Sequence, residues 1–125
     1  MTILVDSDIL IEVSRGRDAG IVAKWTDLSR SDALILYSPV SVAELWAGAR
    51  PAEHGALDHL FQALTCAPAD ERTGHLAGDY LRAFRRSHGL EIADALIAAG
   101  AVANSAHLWT RNRKHYPMKG LPFFD

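Results

Sequence analysis

The chain contains very little cysteine and no long apolar run. Its 125 residues include one cysteine, Cys66, so no internal disulfide can form, and this lone thiol is expected to pack in the interior. The longest stretch without Asp, Glu, Lys or Arg, residues 95–110, is interrupted by polar side chains, whereas a membrane span needs about 20 predominantly apolar residues. The N-terminus lacks the basic and apolar regions of a secretory signal. We therefore expect a cytoplasmic protein with no transmembrane helix.

The chain also has no large excess of either charge. Thirteen basic and fifteen acidic residues give a net charge of −2 at pH 7, which argues against nucleic-acid binding through bulk positive charge alone. The basic residues are nevertheless unevenly distributed. A locally basic segment begins after Thr110, and a cluster of arginines on one predicted helix consists of Arg82, Arg85 and Arg86.

Short apolar runs alternate with amphipathic segments along the chain. Buried strands are predicted at 3–5, 34–37 and 107–110, with a possible last strand at 121–124 and a strand or loop at 66–69. Helices are predicted at 7–15, 18–29, about 39–49, 53–64, 70–87 and 92–103. This alternation is typical of an α/β sandwich with a mainly parallel central sheet, and the length favours a single domain over residues 1–125.

Acidic residues near two predicted element boundaries are candidates for a functional site. Asp6 follows the first strand, and the carboxyl ends of parallel strands form the ligand-binding edge of such sheets. Its alternative function is to cap the next helix, while Asp8 is expected to face that helix's surface. Asp94 is the only charged residue in the nearly apolar segment 92–103, so it implies a cation or a cleft, or else a first-turn interaction with the helix dipole.

A third acid, Glu44, lies at an otherwise apolar helix start. The alternative for Glu44 is a capping box, because Ser41 precedes it by three residues. If Asp6, Glu44 and Asp94 converge, any two charges 4 Å apart repel by about 4 kcal/mol at an effective dielectric of about 20. A divalent cation would neutralise them, and oxygen ligands select Mg²⁺ or Mn²⁺ rather than zinc. The six histidines show no zinc-site spacing, which supports this interpretation.

Segments spread along the chain together resemble a known family. The segments ILVDSDILIEVSRG, SPVSVAELWAGA, IADALIAAGA and LWTRNRKHYP occur in this order and resemble PIN-domain ribonucleases, specifically VapC-type toxins of bacterial toxin–antitoxin pairs. The resemblance implies a PIN-like α/β/α sandwich and a Mg²⁺- or Mn²⁺-dependent endoribonuclease whose acidic positions are Asp6, Glu44 and Asp94. It also implies an RNA substrate, a VapB-like antitoxin whose C-terminal segment covers the active-site groove, and a homodimer.

The chain departs from this family at His115, where relatives often have a fourth acid. Either Asn112, together with Thr110 or Ser7, completes the metal shell through neutral oxygens, or metal binding is weaker than in four-acid relatives. His115 could contact a phosphate, or it could be an ordinary loop histidine. The expected chemistry is in-line attack by a metal-activated water, leaving a 5′-phosphate and a 3′-hydroxyl.

Basic residues adjoin the predicted site. Arg111, Arg113 and Lys114 could bind the RNA backbone, or they could belong to a solvated loop.

Two other functions remain open. The opening ILVDSDIL also resembles that of haloacid-dehalogenase-type phosphotransferases, although this chain is short for that family and has only three lysines. A non-catalytic protein-binding PIN-like module would use the acids only as caps, and the missing fourth acid is consistent with it.

Overall fold

A parallel four-stranded sheet forms the centre of the molecule in the computed structural model, which describes residues 1–125. The strands lie in the order β3-β2-β1-β4. They are β1 (Thr2–Val5), β2 (Leu34–Tyr37), β3 (Thr65–Cys66) and β4 (His107–Trp109). Because β1 pairs in parallel with both β2 and β4, the ends of these three strands meet at one edge of the sheet. The predicted parallel α/β architecture is confirmed.

Six α-helices connect the strands. They are α1 (Ser7–Arg15), α2 (Ala19–Ser29), α3 (Pro39–Gly48), α4 (His54–Gln62), α5 (Glu71–His88) and α6 (Ile92–Ala103). The predicted helices agree with these to within two residues at either end, which is the usual uncertainty of a helix boundary. None of the six has the combination of length and apolar character that crossing a bilayer requires.

The side chains of β1 alternate between two apolar cores. Leu4 belongs to the core that α5 and α6 cover on one face of the sheet, and Ile3 and Val5 belong to the core on the other face, with α1, α2 and α4. All three side chains are fully buried. Since successive strand residues point to opposite faces, this alternation produces the predicted three-layer α/β/α sandwich.

Local signals place the helix ends near the carboxyl edge of the sheet. The Asp6 carboxylate caps α1 by accepting a hydrogen bond from the Ser7 amide at 2.8 Å. Gly89 ends α5 in the left-handed conformation, with φ of 62°, which a glycine adopts without steric cost. The chain then turns directly into α6, so the end of α5 and the start of α6 lie together.

Two expectations about single segments are wrong. Cys66 is exposed rather than packed, because β3 is a two-residue strand at the edge of the sheet. The segment 121–124 makes one isolated bridge, between Phe123 and Leu108, instead of a strand. Pro122 accepts a hydrogen bond from Leu108 but has no N–H with which to extend the ladder.

We expect Gly100→Ala to stabilise the protein. Gly100 lies inside α6, and a Cβ at this position would meet the Leu4 side chain at 3.6 Å, an ordinary van der Waals distance. Alanine restricts the unfolded chain more than glycine and favours a helix by about 0.5–1 kcal/mol. The free energy of unfolding in urea measures the gain, and a loss of stability would show that α6 and β1 are packed too closely for a methyl group.

Candidate active site

Acidic side chains meet at the carboxyl edge of the sheet. Asp6 directly follows β1, Glu44 comes from α3, which begins just after β2, and Asp94 lies in the first turn of α6. Glu44, Asp94 and His115 line a cavity of about 350 Å³ with the turn 88–91 between α5 and α6. The structure therefore places Glu44 and Asp94 in one open cleft at the edge where ligands bind in parallel sheets, and the buried Asp6 shares the Tyr116 hydroxyl with Asp94.

Asp6 is the most buried acid of the cluster and is held by several donors. Its carboxylate accepts hydrogen bonds from the Ser7 amide, the Thr110 hydroxyl and the Tyr116 hydroxyl, each at 2.8 Å. The Tyr116 oxygen also lies 3.4 Å from Asp94 Oδ1, so one hydroxyl reaches both carboxylates. Asp6 is thus a helix cap and a member of the acidic cluster, and the two interpretations are compatible.

Asp8 was expected to face the outer surface of α1, but its side chain turns toward the loop after β4. Its Oδ2 accepts hydrogen bonds from the Arg111 amide at 3.0 Å and from Asn112 Nδ2 at 3.1 Å, which tie α1 to the loop after β4. Its other oxygen, Oδ1, is buried and has no hydrogen-bond partner. Burial and the neighbouring Asp6 charge raise the pKa of Asp8 above its ordinary value.

Glu44 is not part of a capping box with Ser41. The α3 helix begins at Pro39, and the Ser38 hydroxyl caps it by accepting from the Val40 amide at 3.1 Å. Glu44 is therefore too far along the helix to reach the first amide. Its Oε1 instead accepts a hydrogen bond from the Ser7 hydroxyl at 2.8 Å, which positions the carboxylate beside the N-terminus of α1.

Asp94 carries a charge that its surroundings disfavour. Burial is the main cause of its raised pKa. The Asp6 carboxylate raises it further, and Glu44 makes a smaller contribution. His115 counteracts this partly, because its Nδ1 lies 3.8 Å from Asp94 Oδ2. The helix-dipole alternative explains the position of Asp94 in the first turn but not its contact with Tyr116, whose hydroxyl also binds Asp6.

The basic residues of the Thr110 loop are unequally available. Arg111 lies 3.5 Å from Glu12 and 3.9 Å from Asp18, so its guanidinium is held against α1 and α2. Arg113 forms an ion pair with Asp125 and stacks over the Phe123 ring at 5.0 Å. Lys114, by contrast, is exposed and forms no ion pair.

The donor chemistry of the cleft fits a hard divalent cation. No three His, Cys, Asp or Glu side chains are yet arranged as a complete metal site. Asp6, Glu44 and Asp94 supply carboxylate oxygens, and Mg²⁺ or Mn²⁺ prefers oxygen ligands and keeps several waters. The orphaned Asp8 Oδ1 and the raised pKa of Asp94 both indicate negative charge that the protein leaves without full compensation. Asn112 directs its amide nitrogen to Asp8, so its side chain supports the loop.

Sequence reasoning did not identify Tyr116. The side chain is buried, and its hydroxyl links Asp6 and Asp94. Burial and these neighbouring carboxylates, Asp6 first, raise the pKa of the phenol far above its ordinary value, so the hydroxyl remains a donor. The available signal was a hydroxyl-bearing aromatic residue six positions after Thr110, in a loop otherwise rich in charge.

The family follows from comparison with known proteins. Residues 3–121 match the sequence profile of the family described as PIN domain. The chain belongs to the PIN-domain family. This PIN domain is 41% identical over 117 residues to Ribonuclease VapC10 of Mycobacterium tuberculosis, a match that covers 93% of the chain and 86% of that relative. It is 34% identical over 116 residues to Ribonuclease VapC19 of the same organism, with 92% of each chain covered.

Solved structures have the same fold as this PIN domain. VapBC2 from Rickettsia felis, bound to a DNA fragment from its promoter, superposes with a TM-score of 0.82 at 23% identity, covering 99% of this chain and 98% of the other. VapBC-1 from nontypeable Haemophilus influenzae superposes with a TM-score of 0.81 at 21% identity, covering 100% and 98%. These likenesses confirm the architecture over the whole described chain.

Proposed function

We propose that this PIN domain is an endoribonuclease that depends on Mg²⁺ or Mn²⁺ and acts as the toxin of a type II toxin–antitoxin pair. The observation that carries the proposal is the acidic cluster: Glu44 and Asp94 line one open cleft, and the Tyr116 hydroxyl connects Asp94 with the buried Asp6. Relatives that are up to 41% identical over most of the chain are named ribonucleases, which supports the same reaction class here.

The acids would hold the cation, and the residues around them would fix their positions. Mg²⁺ or Mn²⁺ held by Asp6, Glu44 and Asp94 supplies charge neutralisation and an activated water for hydrolysis of a phosphodiester. Thr110 and Tyr116 orient the Asp6 carboxylate through their hydroxyls. The Asp6 carboxylate would thus have an orientation fixed before the substrate arrives.

Several remaining residues of the cleft have supporting functions in this proposal. Ser7 orients Glu44, and Asn112 braces the loop after β4 through Asp8. His115 is exposed at the rim beside Asp94, where its ring can donate to a phosphate oxygen. Lys114, which precedes His115 on the same turn, is an unpaired cation for the RNA backbone.

Arg111 and Arg113 would act mainly by shaping this loop, because both are occupied by carboxylates of the chain itself.

A VapB-like antitoxin is the proposed protein partner. The solved neighbours from Rickettsia felis and Haemophilus influenzae are VapBC assemblies, and an unregulated ribonuclease would damage the cell that makes it. We propose that the antitoxin covers the cleft of the acidic cluster and so blocks access of RNA. Association with a second copy of the chain stays a prediction from family resemblance.

We expect the purified, antitoxin-free chain to cleave total RNA into discrete fragments with Mg²⁺ or Mn²⁺, and not with a chelator. The Asp6→Asn protein should not cleave RNA, because the substitution replaces a carboxylate of the acidic cluster with a neutral amide. The matched control is Asp27→Asn, which removes an exposed acid from α2 and should cleave normally. A folded wild-type protein that neither cleaves RNA nor binds a divalent cation would instead favour a protein-binding module. Hydrolysis of small phosphate esters without RNA cleavage would favour a phosphatase.

A further inference from the structure

The C-terminal part of α5 carries positive charge that the protein does not use internally. Arg82, Arg85 and Arg86 are all exposed, and none of them forms an ion pair. Arg82 is spaced from the other two by three and four positions, so all three arginines share one side of the helix. We call Arg82, Arg85 and Arg86 the arginine ridge.

The arginine ridge leads to the acidic cleft. His88, which follows Arg85 by one helical turn, lines the same cavity as Glu44 and Asp94. The His88 ring packs edge-on against Phe84, with 5.6 Å between ring centroids, and its Nδ1 lies 2.7 Å from the Ser87 hydroxyl. The last turn of α5 is therefore an ordered rim of the cleft and not a loose end.

The other basic surface beside the cleft is largely neutralised. Arg111 lies against Glu12 and Asp18, and Arg113 is paired with Asp125. A phosphate that approached these side chains would have to displace a carboxylate from each. The arginines of α5 have no ion pair to break, so their contact with an RNA backbone costs less free energy.

We propose that the arginine ridge binds the phosphate backbone of the RNA substrate next to the acidic cleft. Charge complementarity and continuity with the cavity favour RNA as its occupant. The ridge adds positive charge beside the carboxylates, whose own charge repels phosphates until a cation is bound. This inference rests on the proposed ribonuclease function and goes further, because it assigns the RNA path to a helix that the PIN-domain acids do not involve.

The test measures RNA affinity separately from cleavage. A short, labelled, single-stranded RNA of mixed sequence is titrated with the Asp94→Asn protein, and fluorescence anisotropy is followed over a series of salt concentrations. Adding Arg85→Gln and Arg86→Gln together should raise Kd by about tenfold. The slope of log K against log salt should become shallower by about 1.4, because each phosphate contact to a single strand contributes about 0.7.

Two matched variants separate a local contact from a general loss of charge or of helix stability. Arg30→Gln with Arg72→Gln removes the same number of exposed, unpaired arginines, one of them from the opposite end of α5, and should leave the slope unchanged. Arg85→Lys with Arg86→Lys keeps the charge near the helix C-terminus and should retain most of the binding. Thermal unfolding of every variant identifies those that are folded.

An unchanged Kd and slope in the folded Arg85→Gln, Arg86→Gln protein would overturn the proposal. So would an equal loss in the Arg30→Gln, Arg72→Gln protein, since binding would then depend on net charge alone. If the wild type still cleaves RNA in either case, the ribonuclease function stands without the arginine ridge. A wild type that neither binds nor cleaves RNA would reject both.

Discussion

Asp94→Asn is expected to lower RNA cleavage by more than about 100-fold. Changing even the outer partners of metal ligands typically costs 10–100-fold in activity or affinity, and Asp94 is proposed to hold the cation directly. Asparagine has nearly the same shape and can still accept the weak contact from Tyr116, which is 3.4 Å away. Initial rates with Mg²⁺ and with Mn²⁺, compared with Asp27→Asn, measure the loss.

The same change is expected to raise the melting temperature at neutral pH. Burial and the Asp6 charge raise the pKa of Asp94, so the folded protein prefers the protonated acid. The stability that this group contributes is present below its unfolded pKa and is lost as the pH rises through its folded pKa. Asparagine stays neutral throughout, so Tm should be higher than in the wild type at pH 7, and the two proteins should converge at low pH.

Divalent cations provide the opposing control for Asp94. A ligand that binds only the folded state stabilises it, so Mg²⁺ or Mn²⁺ should raise the melting temperature of the wild type and of Asp27→Asn, but much less that of Asp94→Asn. Full cleavage by Asp94→Asn would remove this carboxylate from the reaction. A lower melting temperature at pH 7 would show that the contacts of Asp94 with His115 and Tyr116 outweigh its burial and the repulsion from Asp6.

Local sequence signals were sufficient to place two of the three principal acids, Asp6 and Asp94, whereas Glu44 also matched a capping box. Asp6 could be placed because an apolar run ends directly before it, and Asp94 because it interrupts a segment that is otherwise apolar. Both signals are local, and the parallel order of β1, β2 and β4 then brings the acids to the same edge. The helices were equally accessible, since glycines, prolines and capping residues mark their ends.

What the sequence could not provide depends on where separate loops meet. Ser41 and Glu44 match a capping box, but Ser38 and Pro39 begin α3 earlier, so the pattern is not used. The orientation of Asp8 toward the Arg111 amide depends on the path of the loop after β4, more than a hundred residues away in sequence.

The position of Asp8 also bears on the absence of a fourth acid at residue 115. Asp8 supplies an additional carboxylate near Asp6, and burial followed by the Asp6 charge raises the pKa of Asp8. His115 lies beside Asp94 and partly offsets its charge. Negative charge is therefore concentrated around Asp6 and Asp8, and the charge at Asp94 is partly compensated.

Tyr116→Phe tests most directly whether the Tyr116 hydroxyl orients the carboxylates of Asp6 and Asp94. The substitution removes one oxygen, and with it the 2.8 Å hydrogen bond to Asp6 and the contact with Asp94. We expect cleavage and cation affinity to fall by about 10–100-fold, as for other residues that orient metal ligands. The unfolding free energy should fall by about 1–3 kcal/mol, because a buried acceptor loses a donor.

The matched control for Tyr116 is Tyr80→Phe, which removes the same atom from a half-buried tyrosine of α5 whose hydroxyl makes no hydrogen bond within the protein. Calorimetric titration with Mn²⁺ separates the two effects that Tyr116→Phe combines. A loss of stability with unchanged cation affinity and cleavage would make Tyr116 a packing residue only. A gain in cation affinity would show that the hydroxyl competes with the metal for Asp6, and not that it orients the carboxylate, since removing it would free an oxygen for the ion.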